Sequence, residues 1–439
     1  MEKNLFRAGV GVADITPPIG LAIEGGFTVV RGEKVLDPLF VSVVALSDGC
    51  QTLLLTSIDL CIVSNASYQE MVRQLEETLH LPASSLIIAS THTHGSPLMG
   101  TAIFEGIPSD PEYTSHTIKK FITAAKAALD NMVDARFACG SAESRDYLFN
   151  RRVVDPQGKI RMNFIDAEHL KDCRVEGEPD PELQLLRIED LSGKPLALLV
   201  NYALHNNANI YNGPGYTADI SGALRKHLHK LYGEDTAVLF MPSACGDINW
   251  IDLDRLDFCH RNDFYDRVGL SYAGKVAAID ADITGQTGAI RSLTRELVLM
   301  DRPYTDYETT VDFTFGPPET QKEIWDHYKA DYAAHKDDPL KENHLHLSAF
   351  SLGEDFAVVT APVELFCQYG MEIKAKSPFR HTMFWELTNG HEGYAPSPEA
   401  IAAGGYEARK LVRDTHLEIH AAEKIAAACL EMLEELKKQ

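Results

Sequence analysis

The chain predicts an α/β fold of mixed β-sheets flanked by helices, and three observations point there. Short apolar runs of strand character alternate with stretches of helical periodicity over most of the length. Several of those runs are near-continuously apolar, the pattern of strands buried on both faces. A length of 439 residues with 45% hydrophobic content is enough to bury one large core or two moderate ones.

The strands are expected at Phe40 to Leu46, Leu53 to Ile58, Leu86 to Ala89, Leu183 to Ile188, Leu196 to Tyr202, Ala237 to Phe240 and Phe356 to Thr360. Asn65 is placed to cap a helix over Tyr68 to Leu79, where Tyr68, Met71, Val72, Leu75 and Leu79 share one face. Asp110 before Pro111 opens a second long helix. From Arg302 to about His344 and Leu345 the chain turns polar, with Gly316-Pro317-Pro318 opening a charged helix; this reads as a peripheral excursion, residues 302–345, with the place of a lid. A last helix is expected over Thr415 to Leu436, with Leu417, Ala421, Ile425, Ala428 and Met432 as its buried stripe. No repeat and no Pro- or Ser-rich linker divides the chain, so residues 1–439 are expected to form a single domain.

Charge narrows the partners. Lys and Arg number 41 against 64 Asp and Glu, a formal charge of -23 that repels nucleic acid and anionic membrane surfaces. No apolar run approaches the ~20 residues of a bilayer span, and the opening MEKNLFRAGVGV lacks the apolar stretch of a secretory leader. The expectation is a cytoplasmic protein with a small-molecule substrate and no stable membrane association. The 8 cysteines are scattered without a CxxC pair, so they read as reduced, mostly buried thiols rather than metal ligands.

The sharpest local feature is Ser90-Thr91-His92-Thr93-His94-Gly95-Ser96-Pro97 at the exit of an apolar strand. Side chains at i and i+2 of a strand point to one side, so His92 and His94 are expected to share a pocket before Gly95 and Pro97 turn the chain away. With 17 histidines in the chain such spacing also arises without meaning, and His227-Leu228-His229 and His344-Leu345-His346 supply the comparison. The first lies in a helical pattern, where i and i+2 diverge, and reads as solvated surface. The second closes the polar excursion before a strand, and it too reads as ordinary surface.

A second buried run, Leu196 to Tyr202, leads to His205 and the loop Asn206-Asn207-Ala208-Asn209, and a third, Phe356 to Thr360, leads to Glu364. Sheets of this class gather their sites at the carboxyl ends of strands. Two neutral imidazoles and one carboxylate are a common catalytic zinc shell with a position left open for water, whereas manganese or iron favours more oxygen ligands or another geometry.

Ordered blocks along the chain resemble the neutral/alkaline, non-lysosomal ceramidases. They are Gly11-Val12-Ala13-Asp14-Ile15-Thr16-Pro17, the Gly25-Gly26-Phe27 turn, Asp59 in Thr56-Ser57-Ile58-Asp59-Leu60, and Thr91-His92-Thr93-His94. Asn150-Arg151, Asp180-Pro181-Glu182-Leu183, the His205 segment, Gly246-Asp247-Ile248, Pro362-Val363-Glu364 and the stretch from Tyr394 to Tyr406-Glu407 follow in order. The resemblance implies the catalytic domain of that family, with zinc held by His92, His205, Glu364 and Tyr394. It also implies that His94, Arg151 and Tyr406 surround the reacting carbonyl: His94 moves protons, while Arg151 and Tyr406 donate to the oxyanion. In that reading the metal polarises an amide carbonyl and brings the pKa of water towards ~7. Spacing alone would make Arg151 the partner of a surface carboxylate and Tyr406 a packing residue.

The chain departs from the family where a serine is expected two residues after the Gly-Asp step, since Asn249 stands there, with Ser243 on the other side of that step. That removes a serine nucleophile at the position and favours metal-activated water. The family's C-terminal sandwich domain is missing as well, and together with the charge this points from ceramide towards a smaller, more polar amide. A soluble ester or lactone hydrolase would use the same parts. A catalytically silent metal- or ligand-binding protein, or a lyase stabilising an enolate, are the readings from other classes.

Overall fold

A computed structural model describes residues 6–26, 28–100, 108–164, 170, 172–208, 213–310, 318–411 and 414–439. Phe27, Asn209 and the Gly316-Pro317 step lie outside the described residues. The larger sheet has eight strands. In chain order they are β1 (Arg7–Asp14), β2 (Phe40–Ser47), β3 (Thr52–Ile58), β4 (Leu86–Ser90), β5 (Val133–Glu143), β6 (Glu182–Asp190), β7 (Pro195–Tyr202) and β8 (Ala237–Pro242). Their spatial order is β8-β7-β6-β5-β1-β2-β3-β4, with β3/β4 and β7/β8 parallel and the other pairs antiparallel. The sheet curls until its ends face each other: Ser57 Oγ in β3 donates to Phe240 O in β8 at 2.8 Å.

A second sheet contains β9 (Ile290–Met300), β10 (Glu342–Leu352), β11 (Phe356–Thr360) and β12 (His381–Trp385) in that order, the last two parallel. Asn201 stitches the sheets together, its Nδ2 donating to Met241 O at 2.8 Å and Phe384 O at 3.0 Å. Buried Leu55, Ile87, Leu199, Leu239, Phe350 and Trp385 fill the space between them in one cluster. Burying such side chains contributes about 1.5–3 kcal/mol each before the entropy of ordering is subtracted.

Helices cover the outer faces: α1 (Asn65–Leu79), α2 (Pro111–Asp130), α3 (Asp219–Tyr232), α4 (Phe264–Asp282), α5 (Pro318–His335), α6 (Cys367–Lys376) and α7 (Ala421–Lys438). Asp110 caps α2 as expected, accepting from Tyr113 N at 2.7 Å. The cap of α1 is Ser64, whose Oγ accepts from Ser67 N, and not Asn65. Asn65 is turned instead towards a loop at the site, where His391 N donates to its Oδ1 at 2.9 Å.

The last helix starts at Ala421, later than the apolar stripe suggests. Thr415 has a left-handed φ of 43° and Leu417 pairs in a β-bridge with Asp301, so the helical run cannot extend back to them. Ala421, Ile425, Ala428 and Met432 are buried as the stripe requires. His227 is buried rather than solvated, with Nε2 3.1 Å from Asp266 Oδ1. His344 and His346 lie inside β10, not before it, and His344 pairs with Glu296 at 3.0 Å.

The polar excursion is no loose appendage. Arg302 forms a buried pair with Glu308 at 3.1 Å, and Arg409 packs its guanidinium 4.5 Å from the Tyr307 ring centre and 4.6 Å from that of Trp325. Gly405 N donates to the Tyr307 hydroxyl at 2.7 Å, which ties the segment to the turn carrying Tyr406. Among the described residues no helix is long and apolar enough to cross a membrane. None of the 8 cysteines forms a disulfide, and Cys61, Cys245, Cys259, Cys367 and Cys429 are buried.

Candidate metal centre

β4 is buried throughout and ends at Ser90. The chain then leaves the strand: His92 has a left-handed φ of 61°, a conformation that costs a residue with a Cβ about 1 kcal/mol or more. The two histidines therefore converge through this turn and not through strand alternation. His92 Nδ1 lies 3.0 Å from Cys61 O, and His94 Nδ1 lies 3.1 Å from Gly25 O. Each carbonyl can only accept, so each ring donates from Nδ1 and turns its Nε2 into the cluster. The two Nε2 atoms lie 3.4 Å apart. Gly25 must be glycine to permit this, since its φ is +86° and a Cβ would lie 2.3 Å from His94 Nδ1.

The loop after β7 is stapled to the loop after β4 by Asn206, whose Nδ2 reaches Thr91 O and Ala218 O, each at 3.1 Å. This places His205 with its ring perpendicular to that of His92, the centroids 4.4 Å apart. Beyond β11, Glu364–Leu365 forms a two-residue parallel ladder with Tyr394–Ala395, in which Glu364 pairs with Tyr394. Gly246 N donates to Leu365 O at 2.9 Å, and a Cβ on Gly246 would come within 2.5 Å of Glu364 O, so only glycine allows that approach. The buried Glu386 carboxylate receives Leu365 N at 3.0 Å and Cys245 N at 3.1 Å, fixing the ladder from behind.

The result is a set of ligand atoms from His92, His205 and Glu364 that all lie within 4.8 Å of one another and are all buried. His92 Nε2 is 3.3 Å from Glu364 Oε2. Burial pushes the His205 imidazole well below its usual range and takes His94 down to about 3, so both rings are neutral near pH 7. Burial acts to raise Glu364, but His92 and His391 outweigh it and hold the carboxyl well below the ordinary carboxylate range.

Arg151 enters from the loop before Arg152, its N–H donating to Asp247 O at 2.8 Å. Its Nε binds Glu407 Oε1 at 2.7 Å, so its partner is a fully buried carboxylate and not a surface one. The guanidinium carbon lies 5.3 Å from the Tyr394 ring centre and 5.7 Å from that of Tyr406. The two tyrosine rings meet edge to face, with centroids 5.7 Å apart. Burial pushes both phenols well up, so each keeps its proton in this setting. The structure thus gathers His92, His94, His205 and Glu364 on one side and Arg151, Tyr394 and Tyr406 on the other, joined through the Glu364–Tyr394 ladder.

Cys61 and His391 are neighbours of the cluster that the sequence did not single out as site residues. Cys61 lies behind His92, Sγ to Nδ1 3.8 Å, and its thiol together with His92 and His94 forms a second close group; burial raises that thiol well above its usual range and keeps it protonated. His391 Nε2 lies 3.4 Å from Glu364 Oε1. Asn249 is locked in a reciprocal amide pair, with Asn163 Nδ2 donating to its Oδ1 at 2.8 Å and its own Nδ2 returning a bond to Asn163 Oδ1. Ser243 is buried, its N–H donating to Tyr202 O at 2.9 Å.

The donor set fits a divalent ion. His205 Nδ1 and Glu364 Oε2 are buried without a hydrogen-bond partner among the described residues, and such orphaned atoms cost about 1–3 kcal/mol each. Two imidazoles and a carboxylate are the donor types of a catalytic zinc shell, and Tyr394, expected from the sequence as a further ligand, stands beside Glu364 in the ladder.

No family model matches the chain. Among solved structures the fold is similar to that of neutral ceramidase from Pseudomonas aeruginosa, with a TM-score of 0.75 at 16% identity, covering 100% of this chain and 75% of that one. It is equally similar to a ceramidase solved in complex with C2, with a TM-score of 0.74 at 15% identity, covering 99% of this chain and 76% of that one. The mixed α/β fold expected from the sequence, and its ceramidase-like form, are therefore shown.

Proposed function

We propose that the cluster is the centre of a zinc-dependent hydrolase that cleaves an amide bond. The observation that carries this reading is the set of buried polar atoms left without a hydrogen-bond partner among the described residues: His205 Nδ1, Glu364 Oε2 and Arg151 Nη2. The first two suit a metal, and the third suits an anion that forms during reaction. The fold shared with the ceramidases supports the same reading.

His92, His205, Glu364 and Tyr394 would hold the ion. When bound, it supplies Lewis acidity, polarising a carbonyl and making water a nucleophile near neutral pH. Arg151 is aimed by Glu407, leaving Nη2 to donate to the developing oxyanion, and the protonated Tyr406 phenol is a second donor. His94, neutral with a bare Nε2, accepts a proton there and returns it to the leaving amine. The amide-locked Asn249 offers no hydroxyl nucleophile.

The substrate is a small, polar amide, because the charge of -23 and Asn249 in the serine position both turn the site from a membrane lipid. We place the protein in solution, as a single folded unit. The test is a series of N-acyl amides of increasing chain length offered to zinc-loaded protein. Turnover should be flat or fall as the chain grows, whereas a steep rise with length would restore a lipid substrate.

A further inference from the structure

Glu24 stands beside this centre, and nothing in the mechanism uses it. The segment carrying it is pinned to the loop after β4: Glu24 N donates to Ser96 O at 2.9 Å, and the next carbonyl, Gly25 O, holds His94 Nδ1 at 3.1 Å. The left-handed turn at Gly25 allows the chain to approach the His94 ring, and the Glu24 carboxyl is near enough to interact electrostatically with His391 and Cys61. The side chain is 4% exposed, and its Oε2 has no hydrogen-bond partner among the described residues. The charged and titratable groups it feels are the His391 imidazole, which itself touches Glu364, and the Cys61 thiol behind His92.

Burial pushes the Glu24 carboxyl up to about 7, with His391 and a backbone hydrogen bond at Gly25 pulling it back; a buried carboxyl oxygen without a partner is costly, and proteins keep such an atom where a ligand completes it. Among the described residues the charged group that acts on this carboxyl is the His391 imidazole rather than a guanidinium or ammonium, while the field of the whole molecule draws cations. We infer that Glu24 selects the substrate: its carboxyl receives a cationic amine carried close to the scissile amide. This rests on the amidohydrolase reading of the same site. It narrows the substrate class to short N-acyl amines bearing a second, protonated nitrogen.

The test is calorimetric binding to metal-replete protein at about pH 8, where an alkyl ammonium is charged. The probes are N-acetylethylenediamine and its neutral isostere N-propylacetamide. The wild-type chain should bind the cationic amide at least about tenfold more tightly, and Glu24→Gln, an isosteric change, should collapse that ratio. Glu24→Asp, which keeps the charge, should retain part of it if Glu24→Gln fails to fold. A wild-type protein that binds the cationic probe no better than the neutral one overturns the assignment, as does a folded Glu24→Gln variant that keeps the preference. Hydrolysis of both amides is followed in parallel. A preserved binding preference without turnover would remove the hydrolase reading while supporting the role of Glu24.

Discussion

Glu364 and Tyr394 are backbone partners in a parallel ladder, so a carboxylate and a phenol from separate segments enter the site side by side. The ladder is short and is held from behind by the Gly246 N–H to Leu365 O bond and by the buried Glu386. The placement of these two side chains is thus decided by backbone contacts made at the adjacent Leu365.

Gly246→Ala should disturb that placement. Its new Cβ would lie 2.5 Å from Glu364 O, so the strand must move. Zinc affinity, measured by competition with a chelating dye, should fall about 10–100-fold, the usual cost of disturbing a supporting group. Unchanged affinity would mean that the ladder tolerates the shift.

His92→Ala removes a ligand atom central to the group within 4.8 Å. Elemental analysis of the purified variant should show loss of stoichiometric zinc, with amide hydrolysis lost in parallel. Retention of zinc with lost activity would move His92 out of the metal shell.

Glu407→Gln leaves Arg151 and Arg152 without the carboxylate that binds both, at 2.7 and 2.8 Å. Breaking such a buried pair typically costs about 3–5 kcal/mol in urea unfolding, and hydrolysis should fall with it because Arg151 is no longer aimed. Burial acts to raise the Glu407 carboxyl, but Arg151 and Arg152 outweigh it, and the folded-state value lies below the ordinary one. Its stabilisation should therefore be complete above the unfolded carboxyl range near pH ~4.3 and vanish as pH drops through the folded value. A difference between wild type and variant that persists undiminished in strong acid would contradict the sign.

Asn249→Ser puts back the hydroxyl of the ceramidases but breaks the reciprocal amide pair with Asn163. The variant should lose about 1–3 kcal/mol of stability and gain no ceramide hydrolysis. A variant that hydrolyses ceramide at the expense of polar amides would make this single position the seat of lipid recognition.

The fold class was readable because near-continuous apolar runs such as Leu53 to Ile58 and Leu196 to Tyr202 have few ways to be buried other than in a sheet. The long β5, β9 and β10 were missed, since half-exposed strands such as Ile290–Met300 mix charge with apolar residues and show no clean alternation. At the site, strand ends located His92, His205 and Glu364, yet the stated reason for pairing His92 with His94 was local alternation, whereas the actual cause is the left-handed turn at His92. Glu24 and His391 were invisible because each lies outside the expected strands and owes its position to long-range contacts, and Glu407, though inside a quoted block, carried no sign of its pairing with Arg151 and Arg152. Asn65 shows the same limit: beside Ser64, both are good caps, and only the distant His391 N–H decides which one is free to leave the helix.

The Tyr307 hydroxyl that receives Gly405 N makes the polar excursion a brace for the Tyr406 turn. A stretch that reads as decoration in the amino-acid string thereby becomes a remote handle on the chemistry. Protease nicking of its backbone, or deletion to shorten the chain, should silence turnover while zinc stays in place, because the residues proposed to hold the ion are anchored elsewhere.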